Sequence, residues 1–207
     1  MAALTNIAQV AQRLPFAREA AHSQKRLFWQ WLNAVFNRYD QDRIKEIGPD
    51  RAAAEWLIRS GASVRWSGAI KFHTDYNTLP TTSSSAYKIE EIDATDSSIM
   101  EIGFPYLKEL THLKSINLTR CNFLGDKALQ MLQLRKDSLE KVHVISCGNV
   151  TDAGVKSLSE LAKLHYLELF DLPGVRDREG VLQHFSQLLP TCKVDYPEVN
   201  ETTKPKK

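Results

Sequence analysis

Apolar residues in the second half of the chain recur in one phrase: apolar-x-x-apolar-x-apolar-x-x-apolar, with cysteine twice in the last place. It is filled by Leu113, Ile116, Leu118 and Cys121, by Leu139, Val142, Val144 and Cys147, and by Leu164, Leu167, Leu169 and Leu172. A degenerate earlier copy is Ile89, Ile92, Ala94 and Ser97, and a truncated last copy is Leu189, Cys192 and Val194. The second anchor falls at 92, 116, 142, 167 and 192, in steps of 24, 26, 25 and 25 residues. A period this regular is the mark of stacked structural repeats.

Within each phrase the alternation of the two middle anchors predicts a short strand, with the residues between them on the opposite face. A turn and a helix then return the chain, as in Asn149-Val-Thr151-Asp152-Ala-Gly-Val155-Lys-Ser-Leu158. There Thr151 or Asp152 can cap the helix and Leu158 and Leu161 can turn inward. One such unit cannot bury its own apolar face, so several must stack. The expected fold is therefore α/β: a short leucine-rich-repeat solenoid of about four and a half repeats. Repeats of the cysteine-containing type place Cys at the tight interior corner, where Cys121 and Cys147 stand, as small buried core residues.

Residues 28–86 do not fit the period and read as a mostly helical N-terminal capping module ahead of the repeat domain, 87–197. Phe28, Trp29, Trp31, Leu32, Val35 and Phe36 predict an aromatic helix that residues 37–40 end. A second helix follows Gly48-Pro49-Asp50, carries Ala53, Trp56 and Leu57, and stops at Gly61. Val64, Trp66, Ile70, Phe72 and Tyr76 then alternate as a strand would. Residues 81–85 read as a polar linker, and 198–207 as a disordered tail.

Leu4, Ile7, Ala8, Ala11 and Leu14 fall at helical spacing in an arginine-bearing, acid-poor start. Residues 1–27 are thus expected to be a mitochondrial transit peptide. The net charge of +2 is concentrated there. The near-neutral remainder lacks the basic face that nucleic acid requires, and no apolar run is long enough to span a bilayer. Three cysteines in no metal-like spacing suit a reducing compartment. Three glycosylation-type triplets, at Asn117, Asn149 and Asn200, are expected to be silent.

Stacking the strands sets exposed residues in columns about 4.8 Å apart. One column is Asp93, Asn117, His143 and Glu168. The second is Glu91, Ser115, Lys141 and Tyr166, and the third Thr95, Thr119, Ile145 and Phe170. His143 beside Glu168 is the most tempting catalytic pair, but no nucleophile, phosphate-loop or metalloprotease motif accompanies it. A mixed polar face with Tyr166 and Phe170 at one end instead suits protein binding. Acidic Glu91, Asp93 and Asp96 at the other end would steer a basic segment. No enzyme activity and no small-molecule substrate is expected. The aromatic Trp29/Trp31 helix is a second partner or membrane-interface candidate.

Several blocks carry a family resemblance. Phe28-Trp-Gln-Trp-Leu-Asn-Ala-Val-Phe-Asn, Gly48-Pro-Asp-Arg-Ala-Ala-Ala-Glu-Trp-Leu, Asp75-Tyr-Asn-x-Leu-Pro, Ile92-Asp-Ala-Thr-Asp-Ser and Ile145-Ser-Cys-Gly-Asn-Val-Thr-Asp resemble the mitochondrial ATP synthase coupling factor B, or subunit s, family. That family is also labelled distal membrane arm assembly component 2-like, and the likeness covers about 28–190. It implies a peripheral protein on the matrix side of the inner membrane that couples proton transport to ATP synthesis at the synthase membrane sector. The paralogous branch implies assembly of the complex I membrane arm. A cytosolic ubiquitin-ligase adaptor is a rival from outside the family. The resemblance also implies a magnesium ion near the backbones of Gly61 and Thr95. It associates a dithiol with the strand where this chain has Thr119-Arg-Cys121, with threonine in place of the first thiol.

Overall fold

The computed structural model describes residues 31–80 and 87–198. The chain forms two units, Met1–Val35 and Phe36–Lys207. Of the first, the described residues 31–35 are helical, and Trp31 lies there. The expected transit peptide, Trp29, the 81–85 linker and nearly all of the expected tail lie outside the described residues.

The second unit opens on helix α1, Gln41–Ile47, which the hydrophobic pattern does not reveal. Its start is fixed by Asp40, whose carboxylate accepts from the backbone N–H of Asp42 and Arg43, both at 3.0 Å. Helix α2, Pro49–Arg59, follows the expected Gly-Pro start and ends before Gly61. Strands β1, Ser63–Trp66, and β2, Ile89–Asp93, then begin a sheet continued by β3, Ser115–Thr119, β4, Lys141–Ile145, β5, Tyr166–Phe170, and β6, Lys193–Asp195. The strand order is sequential, with β1 antiparallel to β2 and every later pairing parallel. Short helices α3, Asp126–Met131, and α4, Asp152–Ser157, and the longer α5, Arg178–Leu188, return the chain between strands. A 3₁₀ stretch, Glu101–Glu109, does so between β2 and β3.

The register matches the sequence period through four strands. Ile92, Ile116, Val142 and Leu167 stand side by side and are buried. So are Ala94, Leu118, Val144 and Leu169 one pleat on, and Leu113, Leu139 and Leu164 before them. Cys121 and Cys147 are buried at the corner, where each thiol donates to a carbonyl of the preceding unit: Ala94 at 3.0 Å and Leu118 at 3.1 Å. Each thiol thus adds a hydrogen bond between successive units, which a plain apolar residue cannot do. The neighbouring Cys147 thiol and burial push the Cys121 thiol up.

Two expectations need correction. In the last unit Val194, not Cys192, stands beside Leu167. Helix α5 has 11 residues where α3 and α4 have 6, so the chain returns two residues late. Inward and outward faces survive because the slip is even. The 64–76 stretch is not one strand either. Pairing with β2 ends at Trp66, Gly68 turns the chain at φ +77°, and Ile70 and Phe72 face solvent. Tyr76 begins a 3₁₀ turn, Tyr76–Thr78.

Helix α2 is joined to the sheet by a buried carboxylate. The Asp50 carboxylate accepts from the Ile89 N–H at 2.9 Å and the Lys88 ammonium at 2.8 Å, anchoring the start of β2. The Trp56 indole stacks on Tyr106 at 5.4 Å, and Gly103 lies so close to it that a Cβ would sit 2.3 Å from the ring.

Candidate functional site

The exposed face of the sheet brings the predicted columns together. Asp93, Asn117, His143 and Glu168 are direct register neighbours, as are Glu91, Ser115, Lys141 and Tyr166. Thr119, Ile145 and Phe170 form the third row, with Thr95 just past the end of β2. Strands β1 and β6 extend the rows: Arg65 beside Glu91, Lys193 beside Tyr166 and Asp195 beside Glu168.

The two ends of this face differ. At the β2 end the acids are already engaged. Arg65 reaches Glu91 at 2.6 Å and Glu90 at 3.2 Å, and Lys114 holds Glu90 at 2.8 Å. The Lys114 hydrogen bond holds the Glu90 carboxyl below the usual carboxylate range. Asp93 Oδ1 accepts from the Thr95 hydroxyl at 2.6 Å and from Asn117 Nδ2 at 3.2 Å, and Thr119 donates to Asn117 Oδ1 at 2.6 Å. Arg120 grips both Asp96 oxygens at 2.6 Å. The steering acids expected from the sequence are thus tied into the protein's own surface network.

The β4–β6 end carries the freer groups. His143 Nδ1 lies 2.6 Å from Glu168 Oε2, and its ring is 5.5 Å from that of Tyr166. Lys193 Nζ approaches the other side of the Tyr166 ring at 5.8 Å. Burial, with help from Glu168 and Asp195, pushes the Tyr166 hydroxyl up. Half-buried Ile145 and Phe170 complete the patch, and Lys141 is exposed beside it. The aromatic edge is held between a cation and a hydrogen-bonded imidazole, an arrangement suited to gripping a partner side chain. A shallow cavity of about 400 Å³, lined by Gln130, Met131, Leu134 and Lys136 among others, shares no residue with this face.

Sequence reasoning missed a second regular feature. Asp96, Arg120, Ser146 and Asp171, each in the turn that ends a strand, all have positive φ between 48° and 57°. Their backbone N–H groups continue the ladder: Asp96 to Thr119 O, Arg120 to Ile145 O and Ser146 to Phe170 O, each within 2.9 Å. Their equal spacing was the available signal, but the residue types differ, and only aspartate favours this conformation.

The magnesium expectation can be tested against the chemistry present. Gly61 has φ +86°, and a Cβ there would lie 3.8 Å from Ser97 Cα, so its turn packs on the turn holding Thr95. Ser98 fastens the two, its N–H and hydroxyl donating to Ser60 O at 2.8 and 3.1 Å. The Ser60 hydroxyl is buried without a hydrogen-bond partner. Among the described residues no cluster of three or more His, Cys, Asp or Glu could hold a metal. Backbone carbonyls are an oxygen donor type that magnesium accepts while keeping most of its water.

No family model matches the chain. Curated relatives do. A human protein named "ATP synthase subunit s, mitochondrial" is 50% identical over 173 residues, 82% of this chain and 86% of its own length. Proteins of the same name from rat and cattle are 51% identical over 173 residues and 46% identical over 187. The chain belongs to the mitochondrial ATP synthase subunit s family. The resemblance read from its sequence blocks is thereby borne out. For a subunit s relative, none of the described helices is long and apolar enough to cross a membrane.

Proposed function

We propose that the chain is a non-enzymatic mitochondrial component of the ATP synthase system, helping to couple proton transport to ATP synthesis. The observation that carries this is its identity of about half over most of its length to proteins named for that synthase. In this reading the stacked strand–turn–helix units are a leucine-rich-repeat solenoid, capped at one end by α1, α2 and β1. What supports the solenoid is the constant register of Ile92, Ile116, Val142 and Leu167 and the thiol–carbonyl bond repeated at Cys121 and Cys147.

The protein sits peripherally on the matrix side of the inner membrane and grips a synthase membrane-sector subunit with its sheet face. His143, Tyr166, Glu168 and Phe170 provide the contact, with Lys141 beside them. Glu91, Asp93 and Asn117 hold the face in shape. Trp29 and the helical Trp31 add contact. A magnesium ion at the Gly61 and Thr95 carbonyls braces the junction of cap and first repeat.

The test is cross-linking mass spectrometry on intact mitochondria with wild-type protein and a Tyr166→Ala/Phe170→Ala variant. Cross-links from the sheet face to ATP synthase subunits, lost in the variant at unchanged thermal stability, are the expected result. Cross-links confined to complex I subunits would overturn the synthase assignment, and an unchanged pattern in the variant would rule out the face.

A further inference from the structure

The segment after β1 displays apolar side chains on a rigid mount. Ile70 is 95% exposed and Phe72 41% exposed, with Lys71 between them. Exposure of this kind normally accompanies slack loops, but this one is tied three times. Val64 and His73 exchange backbone hydrogen bonds at 3.1 and 2.7 Å across its base. Ala69 N–H donates to Trp66 O at 2.9 Å in the Gly68 turn. The Arg65 guanidinium, itself clamped by Glu90 and Glu91, donates to Ala69 O at 2.9 Å. Folding therefore holds an isoleucine and a phenylalanine together in water at a fixed tip, apolar area that a bound surface would bury.

We infer that the loop spanning 67–76 is an interfacial anchor: Ile70 and Phe72 enter the headgroup–acyl boundary of a bilayer while Lys71 meets anionic headgroups. The inference rests on the peripheral membrane placement proposed above. Three observations favour a lipid surface as the occupant. The tip projects outward, so it needs no matching pocket. Lys71 makes no ion pair among the described residues, and the carboxylate of Asp75, the acid nearest in the loop, is engaged in capping its own 3₁₀ turn, accepting from Asn77 N–H at 2.9 Å. The tip thus presents a lone positive charge, complementary to anionic phospholipid. Behind it stand two part-exposed phenols. Tyr76 has the Arg59 guanidinium 5.9 Å from its ring, and Tyr87 packs edge-on against buried Trp66 at 5.7 Å. Such rings, apolar in body and polar at the tip, favour headgroup depth. No described helix can span a bilayer, so membrane contact through these residues must be of this shallow kind.

The experiment uses the full chain and vesicles of phosphatidylcholine with or without cardiolipin. In Ile70→Trp the emission of the added indole is expected to fall when brominated lipid replaces ordinary lipid in the cardiolipin vesicles. Sedimentation should give an Ile70→Ser/Phe72→Ser partition coefficient roughly tenfold or more below wild type at unchanged melting temperature. Lys71→Glu should weaken binding to cardiolipin vesicles more than to neutral ones. Unquenched Ile70→Trp emission on bound vesicles, or equal partitioning of the serine variant, overturns the inference. So does a serine variant that binds vesicles normally but loses synthase cross-links, since the tip would then dock into protein. Tyr166→Ala/Phe170→Ala separates the two readings: it should lose cross-links and keep vesicle binding.

Discussion

Asn37 Oδ1 accepts the Trp56 indole N–H at 2.9 Å, and the same oxygen accepts the Met100 N–H at 2.7 Å. Asn37 Nδ2 donates in turn to Ser98 O at 2.9 Å. One fully buried amide thus joins helix α2 to the turns after β2, on which the Gly61 turn also rests. Asn37→Ala leaves the buried Trp56 donor and the part-buried Met100 donor and Ser98 acceptor without this partner, at about 1–3 kcal/mol for each group not rescued by water. Urea unfolding should report a loss of roughly 3 kcal/mol, with a matching fall in Trp56 fluorescence anisotropy; a loss under about 1 kcal/mol would mean that the junction does not depend on this residue.

Val142 is fully buried on β4 with Ile116 and Leu167 as its register neighbours. An aspartate there is an unpaired charge in an apolar row, and its desolvation exceeds the whole stability of an ordinary domain unless the carboxyl is neutral. Val142→Asp should abolish the cooperative thermal transition at pH 7. Val142→Ala, by contrast, should cost about 1–3 kcal/mol and keep the fold. A native melting profile for the aspartate variant would show that the row is not the core.

The repeat phrase made four strands and their register legible because each anchor must be apolar to be buried, and burial leaves a period in the sequence. The exposed columns followed from the same period, so Asn117, His143 and Glu168 could be placed as neighbours before any coordinates. What could not be read was whatever depends on a partner far away in the chain. The Arg65 clamp on Glu90 and Glu91 leaves no spacing signal, the Arg120 grip on Asp96 follows the period but not any residue pattern, and the free acidic end expected at β2 disappears once they form. Ile70 and Phe72 misled for a different reason. They alternate as strand residues do, yet both are outside, so their pattern records exposure and not burial. Asn37 does end the preceding helix as expected, but nothing local announces its burial against sequence-distant Trp56 and Met100.

The magnesium site proposed at Gly61 and Thr95 predicts a metal response. If magnesium binds the folded chain alone, its stabilisation grows as the logarithm of its concentration, reaching about 2.7 kcal/mol at a hundredfold excess over the dissociation constant. Titrating magnesium into EDTA-treated protein should raise the melting temperature progressively, and calcium, the larger ion that takes more oxygen ligands, should do so less. Thermal shift assays read this directly. A melting temperature independent of magnesium up to tens of millimolar would remove the ion from the junction.

Asp152 predicts a pH dependence whose sign is fixed by its hydrogen bonds. Its carboxylate accepts from the Arg176 N–H at 3.0 Å and the Asp177 N–H at 2.9 Å, so one unit's helix start holds the next unit's turn. Those two bonds hold its carboxyl below the usual range. A depressed folded-state value means that the stabilisation is fully present above the unfolded pKa, near 3.9, and is lost as pH falls through the lower folded value. Because the group is near the surface, the effect is modest, roughly 0.5–1 kcal/mol. Urea unfolding of wild type and Asp152→Asn should therefore differ at pH 7 and converge as pH drops below about 4, because protonation removes from the wild type what the amide already lacks. A gap between the two that stays constant from pH 7 to pH 2.5 would show that the carboxylate's charge contributes nothing to joining the units.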